Sequence, residues 1–473
     1  MSQDESIRLI LFRLILALKW NLSMKNIRFL INILTIICVP SVYAAAEVQK
    51  NNLELKINTR YFNDEGEAHR SITNPDPQTR NYEQAALGLE LNYTSPYWQD
   101  IIGFDVSLYA VTRLMDSGNN TTVQLLDINS DGKLDQNFAT LGVLALKLKP
   151  SADAEIKIGR QPVNTTLIKT TNNRAVPDTF SGGSAQWKPF PELKTYLGYY
   201  NEWRPRTSEK FTDFVTDANE KIEYVALIGA DYNWHGAKIN TEFLNSKDYL
   251  TKYGFQISYP IKTEKWNMLL RSGAYFSKDA GQLFKCGAES DLDCVKGDKI
   301  DNNGRGYFFE STWKYKNLEL GAAISKFDGM WIEDNYSTES LSGKSLIQDN
   351  GTSPFPTSTI IGPDFTNNDE LAWMAGIKYD WRDIISGLNT EFKYISGDGA
   401  HQSNLNQGIE GKERYSEISI GYRIPWVKNL DFKYSYLTYH SNFDREELSQ
   451  KINGLLRNDW HQHRVALTYS YMF

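Results

Sequence analysis

Apolar and polar residues take turns along this chain with a period of two, and that alternation limits what the chain can build. The first such segment reads Leu53-Glu54-Leu55-Lys56-Ile57-Asn58-Thr59-Arg60-Tyr61, with apolar residues or Thr at odd positions and charged or amide residues at even ones. The last sets Val465, Leu467, Tyr469, Tyr471 and Phe473 against Arg464, Ala466, Thr468, Ser470 and Met472. A two-residue period gives a strand one oily row and one wet row. The pattern recurs near 53–61, 83–95, 101–113, 141–149, 154–161, 183–190, 193–202, 221–234, 237–245, 251–260, 265–276, 304–316, 317–326, 369–381, 386–396, 413–424, 429–440 and 462–473, eighteen segments in all.

The wet row is too charged for a dry interior. It holds Glu54, Lys56, Arg60, Glu90, Asp105, Arg113, Arg271, Glu310, Glu391, Lys393, Arg423, Lys433 and Arg464. A packed core cannot bury so many ionised groups, whereas a water-filled lumen can. The connections point the same way, because short ones such as His235-Gly236 and Lys316-Asn317 alternate with long ones such as 114–140, 161–182 and 327–368. Short turns on one side and long loops on the other characterise barrels that cross an outer membrane. No stretch after the N-terminal region approaches the run of about 20 apolar residues that a membrane-crossing helix needs. The expected fold is therefore all-β: a membrane-spanning antiparallel β-barrel of 18 strands, with periplasmic turns and extracellular loops. A soluble propeller would show a blade repeat of about 40–50 residues, and none is present.

Residues 1–45 read as a signal region, leaving 46–473 as the barrel. Met24-Lys25-Asn26-Ile27-Arg28 supplies a basic start, Phe29 to Val39 an apolar core, and Val42-Tyr43-Ala44 or Ala44-Ala45-Ala46 small residues for cleavage. The oily stretch Leu9 to Leu18 upstream suggests translation from Met24 as an alternative to Met1. Without residues 1–44, which carry five basic and two acidic side chains, the net charge moves from −7 to −10. That balance argues against a nucleic-acid partner. Cys286 and Cys294 are most simply a loop disulfide in an exported chain. Asp127, Asn129, Asp131 and Asp135 stand at positions 1, 3, 5 and 9 of a calcium-loop pattern, with Gly132 at position 6 and Phe138 where the usual Glu would be. The reading is a Ca²⁺ ion rigidifying an extracellular loop; a plain Asp/Asn/Gly turn is the other reading.

The stretch IKIGRQPVNTTLIKTTNNRAVPDTFSGGSAQWKPFPELKTYLGYYNEW, Ile156 to Trp203, carries Gly159-Arg160-Gln161, Asn173-Arg174, Pro177, Thr179-Phe180 and Gly182. This pattern resembles the OprD family of outer-membrane porins, as do Arg60 before an aromatic pair and Arg464 leading the last strand. The resemblance implies an eighteen-stranded pore, often a homotrimer, with its third long loop folded into the lumen. It also implies a basic ladder that guides small carboxylate-bearing solutes.

Selectivity in a passive pore comes from width and from rings of charge. The loop near 161–182 is the expected constriction and carries Lys169, Arg174 and Asp178. Arg60, Arg113, Arg160, Arg174, Arg271, Arg423 and Arg464 are the expected ladder, since a planar guanidinium grips a carboxylate through two parallel hydrogen bonds. The plain alternative is that these arginines pair with Glu and Asp to brace the wall. Arg160 shares a parity with Ile156 and Ile158, so it reaches the lumen only if the strand ends early or a bulge re-aims it. The partners expected are outer-membrane lipid and small solutes such as organic acids, amino acids or short peptides, with no cofactor required. A porin for neutral sugars is the rival reading, because Tyr109, Tyr275 and Phe308 have lumenal parity and could stack on sugar rings. A structural or adhesive barrel is a second rival. An enzyme is not expected: the chain has six His and no convincing nucleophile–base pair at a strand end.

Overall fold

The computed structural model describes residues 52–473 apart from 69–77, 119–124, 128–134, 217–219, 286–298, 300–301, 330, 333–335, 339–352, 360–363, 402–410 and 444–455. The expected signal region and both Cys286 and Cys294 lie outside the described residues.

Eighteen antiparallel strands close on themselves. In chain order they are β1 Leu53–Ala68, β2 Gln78–Thr94, β3 Ile102–Gly118, β4 Asn137–Ser151, β5 Ala154–Gln161, β6 Thr179–Phe190, β7 Leu193–Arg204, β8 Val225–Trp234 and β9 Ala237–Ser246. They continue with β10 Leu250–Lys262, β11 Trp266–Asp279, β12 Asn303–Tyr315, β13 Leu318–Asp328, β14 Leu371–Asp380, β15 Leu388–Ala400, β16 Gly411–Arg423, β17 Leu430–Phe443 and β18 Leu456–Met472. Each pairs with its chain neighbours, and β1 closes the ring on β18 with Leu55 opposite Tyr471 and Phe62 opposite Arg464. Every segment expected from the alternation is a strand, and several run further outward than the alternation indicated.

The two rows fall where the physics requires. Leu144, Ile158, Phe243, Phe255, Ile324 and Ile418 are exposed on the outer face, while Glu90, Lys147, Glu242 and Ser435 on the inner row are buried. Hydrocarbon outside cannot solvate charge, so the charged row must turn inward. The short-turn end carries large amphipathic rings, including Trp98, Trp187, Trp234 and Trp426, of which Trp426 is 74% exposed. Such rings favour the membrane–water interface. His235 (φ 46°) and Gly236 (φ 87°) form the two-residue link from β8 to β9. Both central residues have positive φ, which matches a tight hairpin turn to the twist of its strands.

Several connections fold back onto the wall. A small sheet of Thr212–Val215, Lys221–Ile222 and Ser337–Thr338 joins two of them, with Ser337 opposite Val215 and Phe214 opposite Ile222. Val163, Leu167, Ile168, Phe214, Trp331, Tyr336 and Phe355 from such connections pack with inward-row rings in one buried cluster.

Candidate functional site

The loop expected to form the constriction is residues 162–178, the connection between β5 and β6. Its first half is a small hairpin. Thr170 N donates to Val163 O at 2.7 Å, Thr165 N donates to Ile168 O at 3.1 Å, and Asn164 bridges Lys169. The hairpin tip rests on β9: Thr166 N and Leu167 N donate to the two carboxylate oxygens of Glu242, each at 2.7 Å. The second half crosses to β1 and β2. Arg60 Nε donates to Arg174 O at 3.1 Å. A Cβ at Gly88 of β2 would lie 2.1 Å from Ala175 O, so only a glycine leaves room for the loop there. Ala175 and Val176 are fully buried among Phe62, Tyr82, Ala86 and Tyr109. The loop thus reaches from one wall to another.

Two guanidiniums meet beside Phe62, an inward-row residue of β1. Arg464 of β18 lies 4.3 Å and Arg174 of the loop 5.3 Å from its ring centroid, within cation–π range. Arg60 stands two residues before Phe62 on the same row. Neither Arg60 nor Arg464 forms an ion pair among the described residues, and Arg464 Nη1 is buried without a hydrogen-bond partner. Arg464 is aimed by a relay: its Nε donates to Gln462, whose amide donates to Asp64 at 2.8 Å, which also accepts from Tyr82 Oη at 2.7 Å.

The other expected residues divide. Arg271 Nε donates to Glu310 at 2.6 Å and Arg113 pairs with Asp116 at 3.2 Å, so both brace the wall. Arg423 ends β16 beside the short turn and pairs with Asp431 at 2.9 Å. Lys169 is exposed on the loop hairpin and has no ion pair among the described residues. Arg160 keeps the outward parity. It pairs across with Leu144 without a register shift, donates to Leu141 O at 3.3 Å, and lies 4.2 Å over the Phe211 ring. Asp178 does not face an aqueous gap. It is fully buried, accepts from Thr171 N at 2.6 Å, and closes the second half of the loop into an arc. Burial pushes its carboxyl up to about 6, against the pull of Arg206 and of the Thr171 N–H. Of the calcium pattern, Asn129 and Asp131 lie outside the described residues, while Asp135 N donates to Asp127 O at 2.8 Å. Among the described residues no group of three or more His, Cys, Asp or Glu is placed to hold a metal.

The aromatic rings on the inward row are covered. Tyr109, Tyr275 and Phe308 are at most 4% exposed. Phe355, from the connection between β13 and β14, sits 5.8 Å from Tyr275, 6.1 Å from Phe308, 4.7 Å from Phe327 and 5.2 Å from Trp331. Reading parity alone missed Phe355, Glu242 and the Gln462 relay. Phe62 had a signal, since it is an aromatic on an otherwise charged row two residues from Arg60.

A closed barrel with lipid-facing rings, a charged inner wall and an inward-folded loop defines an outer-membrane porin. The family model for the OprD outer membrane porins matches residues 48–473, and the chain belongs to that family in the bacterial outer membrane. A curated relative, the porin-like protein GalP of Pseudomonas putida, is 21% identical over 333 residues, covering 68% of this chain and 74% of that protein. Among solved structures, Pseudomonas aeruginosa OpdK with vanillate superposes with a TM-score of 0.70 at 19% identity, covering 89% of this chain and 98% of that one. A BenF-like porin from Pseudomonas fluorescens Pf-5 gives 0.69 at 19% identity, with 89% and 99% covered. Acinetobacter baumannii OccAB3 gives 0.69 at 20% identity, with 89% and 100% covered.

Proposed function

We propose that this porin gives passive passage to small carboxylate-bearing solutes, such as organic acids, amino acids or short peptides, and prefers them to neutral ones. The observation that carries the reading is a basic cluster at one wall: Arg174 and Arg464 flank Phe62, and Arg60, half-buried and without an ion pair among the described residues, donates to Arg174 O. A guanidinium that has no carboxylate of its own can grip one that passes, and its planar fork matches the shape of that group. The Gln462 relay holds the fork in place before a solute arrives. A related structure, that of OpdK with vanillate, pairs a barrel of the same fold with an aromatic carboxylate. The neutral-sugar reading needs bare lumenal rings for stacking, and the three inward-row rings that could serve are covered.

Liposome swelling with arginine, benzoate and a disaccharide tests the proposal. Benzoate and arginine are expected to enter well ahead of the disaccharide. Equal rates for all three would remove the carboxylate preference.

A further inference from the structure

We propose that Glu242 is a positioning residue that sets the working width of the constriction by pinning the loop tip to the β9 wall. The inference rests on the reading of 162–178 as the constriction and adds the group that fixes it in place.

The geometry is specific. Thr166 N and Leu167 N belong to consecutive residues, and each takes a different oxygen of the Glu242 carboxylate at 2.7 Å. Successive backbone N–H groups turned to one side form a concave anion seat, and here the anion comes from the wall. Tyr196 Oη of β7 donates to the same carboxylate at 2.5 Å. Asn240, one inward position away, accepts from Thr166 Oγ1 at 2.9 Å and donates to Tyr196 Oη at 2.8 Å. Glu242 is 3% exposed.

Leu167 and Ile168 also bury themselves against this wall. Apolar contact is non-directional and lets a tip slide. A carboxylate with both oxygens committed to adjacent N–H groups does not. The opposite end of the loop is held at Arg60 and Gly88, so releasing the Glu242 end lets the tip move while Arg174 stays beside Phe62.

The test is single-channel recording on the full-length porin in planar bilayers. Glu242→Gln replaces one acceptor with an NH₂ group facing an N–H. It is expected to raise mean conductance and to increase open-channel noise several-fold. Tyr196→Phe removes one supporting donor and is expected to shift both in the same direction by less, which keeps the proposal testable if Glu242→Gln fails to assemble. In the Glu242→Gln background, the pair Thr166→Cys and Asn240→Cys should restore the parent's quiet current when oxidised and lose it on reduction. Parental conductance and noise in Glu242→Gln and in Tyr196→Phe, or a formed cross-link that restores nothing, would overturn the assignment. A wild type that does not prefer carboxylates, beside a noisy Glu242→Gln, would instead count against the proposed function and leave the clamp standing.

Discussion

The wall of β1, β2 and β18 and the wall of β11 and β12 are made from the same ingredients. Each sets an arginine beside an aromatic ring on the inward row: Arg464 with Phe62 in the first, Arg271 with Phe308 in the second. In the first, the arginine has no carboxylate partner among the described residues and a loop brings a further guanidinium to it. In the second, Glu310 neutralises the arginine and Phe355 covers the rings. Parity decides which side of the barrel a residue faces. What the incoming loop carries, a guanidinium or an aromatic ring, decides what that residue is set against.

The largest expected effect separates the walls by uncovering the sealed one. Phe355→Ala empties a box of four rings at a cost of about 3–5 kcal/mol, the usual range for a buried Phe. Limited proteolysis should then cut the β13–β14 connection far faster, and conductance should rise. Unchanged cleavage would mean the ring does not hold that segment down.

Next comes the arc that carries Arg174 to the first wall. The Asp178 carboxyl has a folded value of about 6 against an ordinary 3.8. Its contribution is therefore fully present below about pH 3.8 and is lost as the pH rises through about 6, by up to roughly 3 kcal/mol. Hydrogen exchange at Thr171 should speed up across that window, and Asp178→Asn should flatten the profile. A flat wild-type profile would contradict the assignment.

Arg174→Glu should turn the channel toward cations, moving the selectivity ratio by about tenfold or more, or about 1.4 kcal/mol. Reversal potentials under a salt gradient read this directly. Arg271→Gln sharpens the contrast from the other side. Paired with Glu310→Gln it removes both members of the ion pair and leaves the net charge unchanged, so the selectivity of that double variant should move by less than about twofold. If the Arg271→Gln and Glu310→Gln double variant matched Arg174→Glu, the distinction between the two walls would fail.

Much of the architecture was legible because a barrel's constraints are local. Alternation along each strand gave the eighteen strands and placed Arg60 and Arg464 on the inner row. Parity also warned about Arg160, which the structure keeps in line with Ile158 and Leu144. The remainder depends on contacts between distant parts of the chain. Nothing near Asp178 in sequence shows that the loop will fold over it, and nothing near Glu242 shows that two loop N–H groups will find its carboxylate. Tyr275 and Phe308 looked like a lumenal stacking surface until Phe355, far along the chain, took the place of a solute.

The central claim is that the guanidiniums beside Phe62 hold passing carboxylates, and single-channel recording with benzoate on one side tests it most directly. The account expects brief, concentration-dependent current interruptions in the wild type that disappear in the Arg174→Gln and Arg464→Gln double variant. Wild-type traces that look the same in benzoate as in chloride of equal ionic strength would contradict it.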